Sequence, residues 1–200
     1  DAIRDGRSYV SEGRSHLIDF RVNSTQLGNG QSQLDLNGPQ KVQISARAAA
    51  YLPPVQDEIG AIIASRAANL PPYWDVERAR VSKSRKVMVE LVVNGEPVEH
   101  KEIMADGQWQ DVRFERPVER SSWMALRVLY SAHTNPIFVL VNGKPIRASR
   151  RSAEWCRRGV DRCWEMKQPR IRSDEIKDAE AAYEKARQVY DRILEESPEG

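Results

Sequence analysis

Apolar residues recur at every second position through most of the first 150 residues, which is the period of a strand with one buried face. His16, Ile18, Phe20 and Val22 alternate with Leu17, Asp19 and Arg21. Residues 23–30 then read as a turn, Leu34 and Leu36 as a short strand, and Asn37-Gly38-Pro39 as a second turn. Val42, Ile44, Ala46 and Ala48 form the inward face of a further predicted strand. The pattern breaks over residues 51–73, which open with Leu52-Pro53-Pro54 and close with Leu70-Pro71-Pro72. This is a long insertion, with a short helix expected over residues 57–68. Alternation resumes over 74–81, is clear through Val87, Val89, Leu91 and Val93, and continues in 98–104, 109–114, 123–130 and 137–141. Asn94-Gly95 and Asn142-Gly143 each follow such a run and predict tight reversals, because both residue types tolerate the positive φ of a type I′ turn. The second turn is expected to send the chain back through Pro145 and Ile146. The short strands at near-regular spacing predict a mainly β fold, an antiparallel β-sandwich of the immunoglobulin or jelly-roll kind over residues 15–150.

The period changes in the last quarter, where two C-terminal α-helices are expected as an extension over residues 151–200. Ser152 is the predicted N-cap of the first, with Glu154 in its first turn and Trp155, Cys156, Val160, Cys163 and Trp164 on one stripe. Gly159 weakens that helix, and Pro169 separates it from the next. Ser173 is the predicted cap of the second helix, with Asp174 and Glu175 at its positive end. Ile176, Ala179, Tyr183, Ala186, Tyr190 and Ile193 then recur at three- and four-residue spacing, as a face that docks on the sandwich or on another helix.

Composition narrows the function classes. The chain has 200 residues, 40% hydrophobic and 30% charged, enough for an ordinary core. Lys and Arg number 31 against 29 acidic residues, so a formal charge of +2 gives no global attraction for nucleic acid, and none is expected as a partner. No run approaches the roughly 18 apolar residues of a membrane helix, so no membrane partner is expected. Cys156 and Cys163 would sit about 10.5 Å apart along a straight helix, too far to bridge. With no C-x-x-C and no histidine nearby, they read as small apolar residues on a packed face.

Candidate chemistry is sparse. The three histidines, His16, His100 and His133, are spaced neither as H-x-H nor at helical i, i+4, so no metal site and no catalytic residue is assigned within the chain. Phosphate-binding glycine loops and the G-x-S-x-G elbow are absent from the sequence. The segment Ser131-Ala132-His133-Thr134-Asn135-Pro136 places an imidazole, hydroxyls and an amide between two apolar strands, making Ser131, His133, Thr134 and Asn135 a candidate binding loop. The same residue types also satisfy turn backbone. Trp74, beside Tyr73, offers a ring for stacking on a sugar or an anchor for the insertion. Arg147, Arg150 and Arg151 open a basic cluster that continues in Arg157, Arg158 and Arg162, with Trp155 and Trp164 interleaved. These arginines are candidate anion contacts, in competition with ion pairs to Glu154, Asp161 and Glu165.

Three segments carry a family resemblance. They are Gly6-Arg7-Ser8-Tyr9-Val10-Ser11-Glu12-Gly13-Arg14-Ser15-His16-Leu17, Ser131-Ala132-His133-Thr134-Asn135-Pro136-Ile137-Phe138-Val139, and Gly143-Lys144-Pro145-Ile146-Arg147-Ala148-Ser149-Arg150-Arg151-Ser152-Ala153-Glu154-Trp155-Cys156. As an ordered series they resemble the C-terminal part of CehA/McbA-type metallohydrolases. The resemblance implies a metal-binding barrel of the polymerase-and-histidinol-phosphatase type upstream, in the same polypeptide, with a β-rich region behind it. A divalent metal (zinc, manganese or iron) is then expected in that upstream catalytic domain, which would be the partner of this segment, and residues 1–14 would be the exit from it. No barrel histidine motif matches a position here, so no catalytic or metal-binding residue carries over. Two other readings remain: a sandwich module that binds carbohydrate or another polymer, and a structural domain that oligomerises through the C-terminal helix.

Overall fold

A computed structural model describes residues 2–28, 32–67, 69–71, 76–80, 84–129 and 131–198. The chain divides into two compact units, Asp1–Pro145 and Ile146–Gly200.

The first unit is mainly β. Its strands are β1 (Tyr9–Ser11), β2 (Ser15–Val22), β3 (Thr25–Gln26), β4 (Gln33–Leu36), β5 (Gln40–Ala50), β6 (Lys86–Val93), β7 (Glu96–Met104), β8 (Gln110–Val118), β9 (Ser122–Val128), β10 (Ala132–Thr134) and β11 (Ile137–Val141). One sheet runs β3-β2-β5-β8 and is antiparallel throughout. In the other, β7 pairs with β6 and β6 with β9. Along the far side of β9, β10 and β11 lie end to end, interrupted at Asn135-Pro136. Beyond them β1 pairs antiparallel with β10, and β4 pairs with β11 in parallel. Leu17, Phe20, Val42, Ile44 and Phe114 of the first sheet share one buried cluster with Leu91, Met124, Leu126, Ile137 and Val139 of the second. Two sheets closing on a common apolar layer make the unit a β-sandwich, as the alternation predicts.

The structure departs from the sequence reading at definable points. In β2, Ser15 and Leu17 point inward, then Asp19 takes φ 55° and the register with β5 shifts between Ile18 and Arg21. This one-residue bulge reverses the phase, so Phe20 and Val22 are buried while His16 and Ile18 lie on the outer face.

The two Asn-Gly turns also diverge. Asn94 and Gly95 (φ 53° and 97°) join β6 to β7 as a hairpin, with Val93 opposite Glu96. Asn94 Oδ1 accepts from the Trp123 amide at 3.0 Å. Asn142 and Gly143 (φ 54° and 64°) make a turn in which the Lys144 amide donates to Val141 O at 3.1 Å, yet no strand returns. Both edges of β11 are already filled, by β9 and by β4, and the Asn142 amide donates to Leu36 O at 2.8 Å. Pro145 could supply no donor to a ladder in any case.

Within the insertion, α1 (Glu58–Ser65) forms as expected and is capped by Asp57, whose Oδ1 accepts from the Gly60 amide at 2.7 Å. The strand expected over 74–81 is corrected: Val76–Ala79 is a 3₁₀ turn folded against α1. Asp57 Oδ2 accepts from Arg78 Nε at 3.1 Å, and a Cβ on Gly60 would come within 2.4 Å of the Arg78 carbonyl oxygen. That close approach requires glycine and fixes the turn across the helix. Residues 1–14, expected as an exit segment, contribute the paired strand β1.

The second unit is a helical hairpin of α2 (Arg150–Lys167) and α3 (Ile176–Glu196), separated by a 3₁₀ turn over Gln168–Arg170. The N-cap of α2 is Ser149, which accepts from the Ser152 amide at 3.2 Å, so Ser152 lies inside the helix. Glu175 precedes α3 in the cap position, displacing the expected Ser173. Gly159 is accommodated within α2. Contacts run in opposite senses along the two helices: Trp164 and Tyr183 have ring centroids 4.9 Å apart, and Arg157 reaches Asp191 at 2.8 Å. The helices are therefore antiparallel, and the three-four stripe of α3 faces α2. Among the described residues, no helix is long and apolar enough to cross a membrane.

Candidate functional site

The fold brings two of the resembling segments together. Tyr9, Val10 and Ser11 pair with Thr134, His133 and Ala132. Asn135 Nδ2 donates to Gly6 O at 3.1 Å and to Ser8 Oγ at 3.0 Å, while its backbone amide donates to Ser8 O. Thr134 Oγ1, buried, accepts from the Leu126 amide at 3.0 Å. The Ser131 hydroxyl donates to the Ser15 hydroxyl at 2.7 Å. Three of the four loop candidates thus spend their polar atoms on backbone and neighbouring hydroxyls. His133 differs: it is exposed on the outer face of the second sheet, with only Nδ1 near Thr134 O at 3.3 Å. The register aligns it with Arg127 of β9, Glu90 of β6 and His100 of β7 in one row. The middle of that row is an ion pair, with Arg127 Nε donating to Glu90 Oε2 at 2.7 Å. Beside the loop lies an open groove of about 390 Å³, lined by Asp5, Ser32, Asn135 and Phe138 among others.

Tyr9 of β1 and the outer face of the first sheet together carry an arrangement that the sequence reading missed. The Tyr9 hydroxyl and His16 Nδ1 are 2.9 Å apart, with their rings edge to face at 6.0 Å. The His16 and Trp109 ring centroids are 6.4 Å apart, and the Arg47 guanidinium stands 5.4 Å from the Trp109 centroid. Ala49, paired with His16, is the small residue on the same face. Trp109 keeps 42% of its surface exposed and nearby Tyr51 47%. A continuous aromatic row ending in a cation can stack on a ring-shaped or planar ligand. The sequence pattern hides it, because Tyr9 falls in the expected exit segment over residues 1–14 and uninterrupted alternation places His16 inside. Leu17, an apolar residue on the side of the strand that holds Asp19 and Arg21, is the available signal for the bulge.

Trp74 lies outside the described residues, as do Tyr73 and Tyr130. Four of the six arginines of the cluster, Arg147, Arg150, Arg157 and Arg162, are engaged in ion pairs. Arg147 binds Glu196 through Nε at 2.7 Å and Nη2 at 2.6 Å, and Arg150 approaches Glu154 at 3.6 Å while donating to Leu194 O. Arg157 pairs with Asp161 at 2.6 Å and Arg162 with Glu165 at 3.2 Å. Arg151 is exposed. Asp161 also accepts from Arg187 at 2.7 Å. The Arg187 hydrogen bond first, and then that of Arg157, holds the Asp161 carboxyl below its usual range. Cys156 and Cys163 are free thiols, Cys163 Sγ lying 3.1 Å from the Tyr183 hydroxyl.

Among the described residues, no three His, Cys, Asp or Glu side chains converge as a metal site.

The chain is a β-sandwich domain followed by a helical hairpin. No protein-family model matches it, and no curated protein sequence matches it significantly. Among solved structures it is similar to the CARDB domain of a Pyrococcus furiosus protein, determined in complex with di-metal ions, at 5% identity and a TM-score of 0.32, covering 66% of this chain and 99% of that one. A likeness of that extent carries no functional information, and the sandwich stands on its own strand pairing.

Proposed function

We propose that the chain is a non-catalytic accessory β-sandwich of a metal-dependent hydrolase of the CehA/McbA type, whose metal would be held by an upstream catalytic domain of the same polypeptide. The observation that carries this reading is the joining of residues 6–17 to residues 131–139 through β1, Asn135 and the Ser15–Ser131 hydrogen bond. Two segments far apart in sequence but both bearing the family resemblance serve one structural task, which accounts for their residue types without any catalytic role. In this reading the sandwich is a scaffold against which a catalytic domain is shaped or shielded. Two measurements test it. The gene upstream of Asp1 is expected to encode a histidine-rich barrel, and a gene lacking one overturns the assignment. The purified chain, given zinc, manganese or iron, is expected not to turn over phosphoester, ester or amide substrates; turnover that His133→Ala abolishes would place a catalyst in this segment instead.

A second reading, a carbohydrate- or polymer-binding module, is favoured by the aromatic row of Tyr9, His16 and Trp109 with Arg47 at its end. Its test is a glycan array probed with the chain and with Trp109→Ala. Binding lost in the variant supports a module; silence across diverse sugars removes it.

A further inference from the structure

The helical hairpin has no adequate core of its own. In the second unit, the buried residues among those described are Ala153 and Ser197, and α3 buries none. Yet its two helices present an open apolar groove of about 410 Å³, lined by Trp155, Cys156, Val160, Cys163, Tyr183 and Tyr190 together with small residues. Trp155 is 71% exposed at the rim of this groove. Tyr183, Ala186 and Tyr190 of the α3 stripe line this groove, and each is only half-buried, so the pairing of α3 with α2 leaves part of that stripe uncovered.

We propose that this groove takes the same groove of a second copy of the chain, closing an antiparallel four-helix bundle in which α2 of each copy lies over α3 of the other. Size and charge both support a second copy as the occupant. A helix of 18 residues is about 27 Å long and a helix pair about 20 Å wide, giving roughly 500 Å² per copy and 1,000 Å² for the pair, the level a specific interface must reach. Charge then selects the arrangement. α2 carries six basic residues against three acidic ones, whereas α3 carries four against six. A two-fold axis along the bundle sets each α2 against the partner's α3, opposite in net charge. An axis across the bundle would set α2 against α2, with like charge repelling. Four-helix bundles with short loops adopt this alternating antiparallel order. The inference is independent of the accessory-domain reading.

Sedimentation equilibrium of the full chain tests it. The expected result is a reversible dimer of twice 22.8 kDa. Trp155→Ser removes a ring that is mostly exposed in the single chain, so it should leave helix content unchanged while weakening dimerisation roughly thirtyfold, the effect of losing an interface hot spot. Val160→Glu should return the protein to a single mass with the near-UV signal of the sandwich intact. A single mass at the highest soluble concentration overturns the proposal, whether the groove is then covered by the chain's own sandwich or by another protein. A dimer that survives both substitutions overturns it equally, because association would then use another face.

Discussion

Ser131 and Ser15 share a hydrogen bond of 2.7 Å between their hydroxyls, both residues being buried, across 116 positions of sequence. Ser15 begins β2 of one sheet, and Ser131 immediately precedes β10 of the other, so this bond crosses the sandwich. Ser131→Ala leaves the Ser15 hydroxyl short of a partner in a dry setting and should cost about 1–3 kcal/mol in urea unfolding. The Ser15→Ala, Ser131→Ala pair should cost less than the sum of the two single changes, which a double-mutant cycle measures.

Asn135→Ala removes the amide that binds Gly6 O and Ser8 Oγ. Amide hydrogen exchange over residues 9–11 should accelerate while the amides of β6 and β9 keep their protection, because the loss is confined to one end of the sheet. Equal acceleration throughout the sandwich would contradict that confinement.

Leu126 is fully enclosed between the sheets. Leu126→Ala should lower stability by about 2–5 kcal/mol, through lost transfer energy and the cavity left behind. Denaturant midpoints with an unchanged slope are the measurement.

Asp57 caps α1 and pairs with Arg78, and the Arg78 hydrogen bond, followed by the Gly60 amide, holds its carboxyl below the usual range. A carboxyl depressed in the folded state contributes stability that is present above its unfolded value and lost as pH falls through the folded one. The α1 amide resonances should therefore shift cooperatively in acid, below the range of an ordinary aspartate. In Asp57→Ala that acid transition should vanish, with about 0.5–2 kcal/mol of local stability lost at neutral pH.

Asp161 has the same sign of dependence, since Arg187 and Arg157 lower its pKa. Far-UV circular dichroism should show the helical signal of Asp161→Asn melting earlier than wild type at neutral pH. The two should converge as acid protonates Asp161.

Regular alternation made most of this sandwich legible. Ile137, Val139 and Val141 bury one face, and Val89 and Leu91 keep the same period in β6, so the period is written directly in the residues. The ion pairs Arg150–Glu154, Arg157–Asp161 and Arg162–Glu165 were equally legible, because three- and four-residue spacing places those side chains together on any helix. β1 is three residues long, too short to display a period, and its pairing partner lies more than a hundred residues away. Asp19 shows how one residue at positive φ splits the phase of a strand: Phe20 and Val22 after it are buried as their period suggests, whereas His16 and Ile18 before it lie on the outer face, which conceals the aromatic row from the sequence pattern. The parallel pairing of β4 with β11 depends on which sheet edge is free, a property of the assembled molecule that no local window contains. For the same reason Asn142-Gly143 has the chemistry of a hairpin turn without forming a hairpin.

The division of one long edge between β1 and β4 also gives the molecule a mechanical order. A pull applied ahead of residue 6 loads three backbone pairs and the Asn135 side chain first. β4, seated farther along on β11, bears none of that initial load. The N-terminal strand should thus act as a fuse, releasing a short length of chain before force reaches the Ser15–Ser131 bond and the enclosed core behind it.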